Sequence, residues 1–111
     1  MMSLIDIRQK QGDFMQDKLL FKLITPDGLQ KETDCESVTI NISEDENGKN
    51  SGSYGIRKGH ANAIFSLDDG EITVKNKDEI IYTVVVKGGF ALMQDNVLTV
   101  MTNKIEISVF E

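Results

Sequence analysis

Tryptophan is absent from these 111 residues, proline and histidine occur once each, and one cysteine, Cys35, stands alone. A single thiol cannot close an intramolecular disulfide, so a reducing interior is the natural setting for the chain. Long apolar runs are missing too. Nowhere do about 18 apolar residues follow one another, and Met1 to Gly12 has no apolar stretch of signal-peptide length. The expectation is a soluble or at most peripheral protein, without direct membrane insertion. Cations are in the minority, 12 Lys+Arg against 18 Asp+Glu, for a formal net charge of -6. That field repels phosphate backbones and anionic lipid, which argues against a nucleic-acid partner. With one histidine and one cysteine, a metal site would have to be completed by carboxylates, and no close ligand spacing supports one.

What is present is enough for one core. At 40% hydrophobic content the chain suits a single domain that buries roughly 65% of its unfolded surface. Ser37 to Ser43 alternates strictly, which puts Val38, Ile40 and Ile42 on one face of a strand. The same period returns in Leu19, Phe21 and Leu23, in Ile72 and Val74, and in Ile105, Ile107 and Val109. Ile80 to Val86 and Val97 to Met101 are nearly continuous apolar runs rich in β-branched residues, expected as central strands with both faces covered. Turn residues separate these runs at Pro26-Asp27-Gly28, Asp68-Asp69-Gly70, Gly88-Gly89 and Asp95-Asn96. Reversals at such spacing, with no room for helical crossovers, predict an all-β fold, a sandwich or a barrel. Two segments depart from the pattern. Residues 1–17 admit either a helical turn or a short strand around Leu4 and Ile7, and Glu44 to Ser53, acidic and rich in Gly, Ser and Asn, reads as a mobile loop.

Motifs that would announce chemistry fail on spacing. Around Asp45-Glu46-Asn47-Gly48 a calcium loop would need oxygen ligands where Lys49 and Ile56 stand, and a phosphate loop would need glycine where Arg57 stands. Asn41-Ile42-Ser43 has the form of a glycosylation sequon but lies inside a strand. Cys35, at a strand edge, reads as a small buried thiol, with a hydrolase built on Cys35 or an acidic pair as the remote alternative. Asp68-Asp69 and similar carboxylates fall in turns, where they bond to local backbone. No catalytic, cofactor-binding or metal-binding residue emerges, and a binding or structural role follows.

A series of segments in order resembles one family. Tyr54-Gly55-Ile56-Arg57-Lys58-Gly59-His60-Ala61 resembles the Gly-x-x-x-Gly-His-Ala signature loop of the epsilon subunit of F-type ATP synthases. Leu23 to Pro26 and Glu36 to Ile40 upstream, and Leu67 to Val74, Tyr82 to Phe90 and Asp95 to Val100 downstream, resemble its strands and turns, so the likeness runs over about residues 19–103. The resemblance implies a single β-sandwich of about ten mostly antiparallel strands over residues 18–111, preceded by an extension over 1–17. It also implies a non-catalytic central-stalk subunit, part of a peripheral complex at the cytoplasmic face of a bacterial membrane. Such a subunit connects gamma to the c-ring of a proton- or sodium-translocating synthase. The family's ring-facing surface carries over to Glu44, Asp45, Glu46 and His60, with Tyr54, Arg57 and Lys58 as neighbours. Gly59, Gly70, Gly88 and Gly89 are expected at structural turns.

For Glu44 to Glu46 a solvated acidic loop stands as the other reading, and for His60 a structural histidine bonded to nearby backbone. Three departures matter. Asn62 stands where the family has proline, which predicts a less rigid loop; the stretch from Glu44 to Ser53 is longer than usual; and the sequence reaches Glu111 without an alanine-rich helical hairpin. Nucleotide sensing and inhibition, which the resemblance assigns to those helices, are accordingly not expected. The alternative is a stand-alone β-sandwich adaptor or ligand-binding module outside the synthase.

Overall fold

The structure, a computed structural model, describes residues 18–43 and 52–110, the last four of these through the backbone only. The extension over 1–17 lies outside the described residues. Ten strands make up the fold: β1 (Leu19–Thr25), β2 (Gly28–Cys35), β3 (Ser37–Ile42), β4 (Gly52–Arg57), β5 (Ala63–Leu67), β6 (Gly70–Asn76), β7 (Glu79–Val86), β8 (Gly89–Gln94), β9 (Val97–Met101) and β10 (Ile105–Phe110). Their hydrogen-bonded order is β10-β7-β6-β3-β5-β8-β9-β1-β2, with β4 paired to β3. Among the described residues every pairing is antiparallel except one: β1 runs parallel to β9, with Leu20 opposite Val97 and Ile24 opposite Met101.

The sheet folds over where β3 meets β5. That junction is a single pair, Ile42 opposite Leu67, whereas β3 is zipped to β4 along its whole length. Two layers result, β4-β3-β6-β7-β10 and β5-β8-β9-β1-β2. The alternation read from the sequence supplies what lies between them. Leu19, Phe21 and Leu23 from one layer and Val38, Ile40, Ile72, Val74 and Val84 from the other are all within 1% of full burial. The Phe21 and Tyr82 rings meet across the layers at 6.1 Å. Each such side chain contributes about 1.5–3 kcal/mol. The surface pairs of Lys87 with Asp69 at 3.6 Å and Glu106 at 3.8 Å contribute ~0–1 kcal/mol each. Apolar alternation therefore sets the register, since a one-residue slip would turn a whole core face outward.

Two expectations need correction. β7 and β9 do have strand neighbours on both sides, but each buries only one face. Tyr82, Val84 and Val86 are buried while Ile81, Thr83 and Val85 are half-buried, and Ile80 and Met101 are exposed. Their outward β-branched residues serve lateral packing along the pleated surface, which does not require a further layer. The loop expected over Glu44 to Ser53 is also too long by at least two residues. Gly52 and Ser53 belong to β4, opposite Ile42 and Asn41. Their backbones join the ladder, although a glycine without a side chain and an exposed serine give no apolar signal.

Candidate functional site

The loop between β4 and β5 is built around His60. Its ring is half-buried between Tyr54 on β4 and Phe65 on β5, with centroids at 5.8 Å and 6.0 Å, while Tyr54 and Phe65 approach each other at 5.1 Å. The imidazole Nδ1 lies 2.8 Å from the Ala61 carbonyl oxygen, which accepts its proton. Nε2 is then the acceptor for the Tyr54 hydroxyl at 2.9 Å. Both ring nitrogens are engaged, so His60 orients the loop and is not free to ligate a metal. The His60 amide closes the turn by donating to the Arg57 carbonyl at 3.2 Å, and Gly59 allows that turn with φ +82°.

A second set of contacts fastens this loop to the β8–β9 turn. Asp95 and Asn96 have φ of +51° and +65°, the primed geometry of a two-residue hairpin. The Gly59 amide donates to Asn96 Oδ1 at 2.6 Å, and the Asp95 amide donates to Asn62 Oδ1 at 3.0 Å. Asn62, expected to loosen the loop by replacing a proline, instead supplies an acceptor that proline lacks.

The residues expected to act together are spread along the β3–β4 hairpin. Arg57 and Lys58 are exposed at the loop end, without an ion pair among the described residues, and Tyr54 lies within β4. Glu44, Asp45 and Glu46 lie outside the described residues. The chain on either side of them is anchored at the opposite end of the ladder, where Ile42 faces Gly52, while Ser37 faces Arg57. At ~3.3 Å per residue those ends are roughly 17 Å apart. Gly70, Gly88 and Gly89 sit at strand junctions with φ of +150°, +66° and +121°.

Periodicity did not reveal a further surface. On the outward face of β8, β9, β1 and β2, Phe90, Met101, Ile24 and Leu29 fall in one row, and Ile64 with Leu92 occupies the adjacent row. Ile64 is 71% exposed, Phe90 55% and Leu29 54%. A shallow depression of about 450 Å³ lies by Ile64 and Leu92, and another of about 270 Å³ by Ile24, Phe90 and Met101. Apolar side chains aligned across strands in this way mark an interaction face. The sequence signal was the pair of outward apolar positions in β8, readable only once the strand's inward face is known.

Cys35 is fully buried and its thiol points at the Leu19 carbonyl oxygen, 3.6 Å away. Burial, with a smaller contribution from the Asp34 charge, pushes its pKa from 9.0 up to about 12. The thiolate needed for nucleophilic chemistry is suppressed about a thousandfold relative to a free cysteine. In the native protein at pH 8, Cys35 is expected to resist iodoacetamide and to react at the ordinary rate in urea. Because the folded-state value is the higher one, this group's contribution to stability is intact below pH 9 and falls between pH 9 and about 12. Rapid native alkylation would contradict the burial. No group of three or more potential metal ligands occurs among the described residues.

A two-layer β-sandwich with a fixed polar loop at one end and an apolar outer face defines a binding or connecting module. Residues 18–108 match the family described as ATP synthase, delta/epsilon chain, β-sandwich domain. The chain belongs to that family. It is 31% identical over 87 residues to the ATP synthase epsilon chain of Campylobacter lari, an alignment covering 78% of this chain and 62% of that one. It is also 31% identical over 84 residues to the plastid epsilon chain of Prototheca wickerhamii, covering 76% and 57%. The chain thus spans about three fifths of the length of these relatives. Its fold is similar to chains in cryo-EM structures of two mitochondrial ATP synthases. One, from Euglena gracilis, gives a TM-score of 0.66 at 23% identity, covering 80% of this chain and 52% of that one. The other, from a Tetrahymena thermophila central stalk and c-ring, gives 0.60 at 16%, covering 78% and 64%.

Proposed function

We propose that this chain is a central-stalk subunit that connects gamma to the c-ring of an ion-translocating ATP synthase. In this reading it lies at the cytoplasmic face of a bacterial membrane without entering it, and it couples ring rotation to the catalytic head without doing chemistry itself. The observation that carries the reading is the presence of two unlike contact surfaces on one rigid sandwich. Lasting subunit contacts are the more apolar kind, which assigns the Phe90–Met101–Ile24–Leu29 row to gamma. Polar loops suit the opposite chemistry, and the β4–β5 end with Arg57, Lys58 and His60 is assigned to the ring. The residues flanking Glu44 to Glu46 anchor at the other end of β3, so the acidic segment is left out of that assignment.

The test is capture of purified gamma and of detergent-solubilised c-ring by the full 111-residue chain. Phe90→Asp is expected to weaken gamma capture tenfold or more and leave ring capture intact, since truncating or charging a central apolar anchor costs about 2 kcal/mol or more. Arg57→Ala with Lys58→Ala is expected to do the reverse. Capture of neither partner by the unaltered chain would overturn the proposal. Loss of ring capture in a Glu44→Ala, Asp45→Ala, Glu46→Ala variant, with the Arg57/Lys58 variant unaffected, would move the ring contact to the other end.

A further inference from the structure

We propose that Asn62 and Asn96 are positioning residues that join the β4–β5 loop and the β8–β9 turn into one preorganised contact surface for the partner that meets His60. This rests on the assignment of that end to the ring. The β4–β5 loop crosses from one layer to the other: β4 pairs with β3 in the first layer, and β5 pairs with β8 in the second. Within the loop, His60 is braced by Tyr54 and Phe65, but among the described residues nothing packs on the side of Gly59 where a Cβ would point. An ideal Cβ at Gly59 would meet nothing within 4 Å. The tip is held from outside. The Gly59 amide is bonded by Asn96 Oδ1, and Asn62 returns the contact by accepting from the Asp95 amide.

The pair is reciprocal: each segment supplies one side-chain acceptor and one backbone donor. The β8–β9 turn that anchors the loop is itself fixed twice, by its primed geometry and by the Leu20 amide donating to the Asn96 carbonyl at 2.9 Å. Arg57 and Lys58 at the tip would therefore be offered to a partner from a loop whose ordering cost has already been met on folding. The chemistry they call for is a polar loop presenting carboxylate or carbonyl acceptors. Asp95, exposed beside them, makes the turn part of the same surface and disfavours a strongly acidic partner directly opposite it.

The position of Asn96 permits a clean test. Its φ of +65° is adopted by glycine without strain, so Asn96→Gly removes the acceptor and keeps the turn, while Asn96→Asp keeps an acceptor for the Gly59 amide. On the full chain, amide hydrogen exchange is expected to speed up tenfold or more at Gly59 in Asn96→Gly, with Val84 and Leu98 in the core unchanged. Ring capture is expected to fall about fivefold or more, consistent with loss of one ordering hydrogen bond. Gamma capture should be unchanged, and Asn96→Asp should restore the ring. Asn62→Ala should reproduce the ring defect and expose the Asp95 amide.

Unaltered exchange at Gly59, or unaltered ring capture in Asn96→Gly where Arg57→Ala with Lys58→Ala weakens it, would overturn the inference. If the Arg57 and Lys58 changes also leave ring capture untouched, the ring assignment itself fails and the inference with it. Faster Gly59 exchange would in that case show the two-loop latch as a feature of the fold alone.

Discussion

Gly89→Ala is expected to lower the melting temperature by roughly 10–20 °C or to prevent folding, whereas Gly88→Ala beside it should cost far less. At Gly89 the backbone holds φ at +121°, and a Cβ there would run into the Met101 carbonyl oxygen, with the Thr102 Cα at 3.0 Å. Neither obstacle can swing aside, because both belong to the backbone of the neighbouring chain segment. Strain at such a φ costs about 1–3 kcal/mol before the clash is counted. Gly88 has φ of +66°, in the left-handed region, and a Cβ would find Asp69 Oδ1 at 3.7 Å, an ordinary contact. Its replacement should cost about 1–2 kcal/mol. Thermal unfolding of both variants followed by far-ultraviolet circular dichroism separates the cases. Equal shifts would mean that the close approach of Gly89 to Met101 does not exist.

Phe21→Ala should be the most damaging change in the core, at about 3–5 kcal/mol. Phe21 is fully buried and its ring lies 6.1 Å from that of Tyr82, so it is one of the contacts by which the layers hold each other. Truncation opens a void between two sheets that cannot close without shifting a whole strand. Phe90→Ala provides the control, because that ring is 55% exposed and its loss should stay within about 0.5 kcal/mol. Urea titration of the two variants reads the difference as a shift in midpoint. A midpoint for Phe21→Ala matching that of Phe90→Ala would refute the two-layer core.

Where the sequence carried a period, it announced the strand. β1, β3 and β6 are legible because each has one wholly apolar face: Leu19, Phe21 and Leu23 in the first, Val38 and Ile40 in the second, Ile72 and Val74 in the third. β2 is not legible, since Gly28 to Cys35 buries only its last residue and is held by backbone pairing with β1. The same holds for Gly52 and Ser53 in β4. The family resemblance around Gly59-His60 located the loop, yet the partners that fix it were beyond reach. Asn62 and Asn96 lie 34 positions apart, and nothing in either local pattern says that one turn will fold onto the other. Asp95-Asn96 could be read as a turn from its residue types, but its second task, accepting from Gly59, appears only when the strands are laid side by side. Likewise, the sequence alone did not say that Arg57 lies level with Ser37 at one end of the β3–β4 ladder while Ile42 and Gly52 pair at the other.

The parallel pairing of β1 with β9 also bears on how the chain reaches this state. Leu20 and Val97 are opposite each other though 77 positions apart, so β1 can find β2 early but must wait for β9 before its other edge is covered. Closing so long a loop is entropically slow. During synthesis on the ribosome, Leu19, Phe21 and Leu23 emerge well before β9, which makes this edge a segment in need of protection from neighbouring nascent chains.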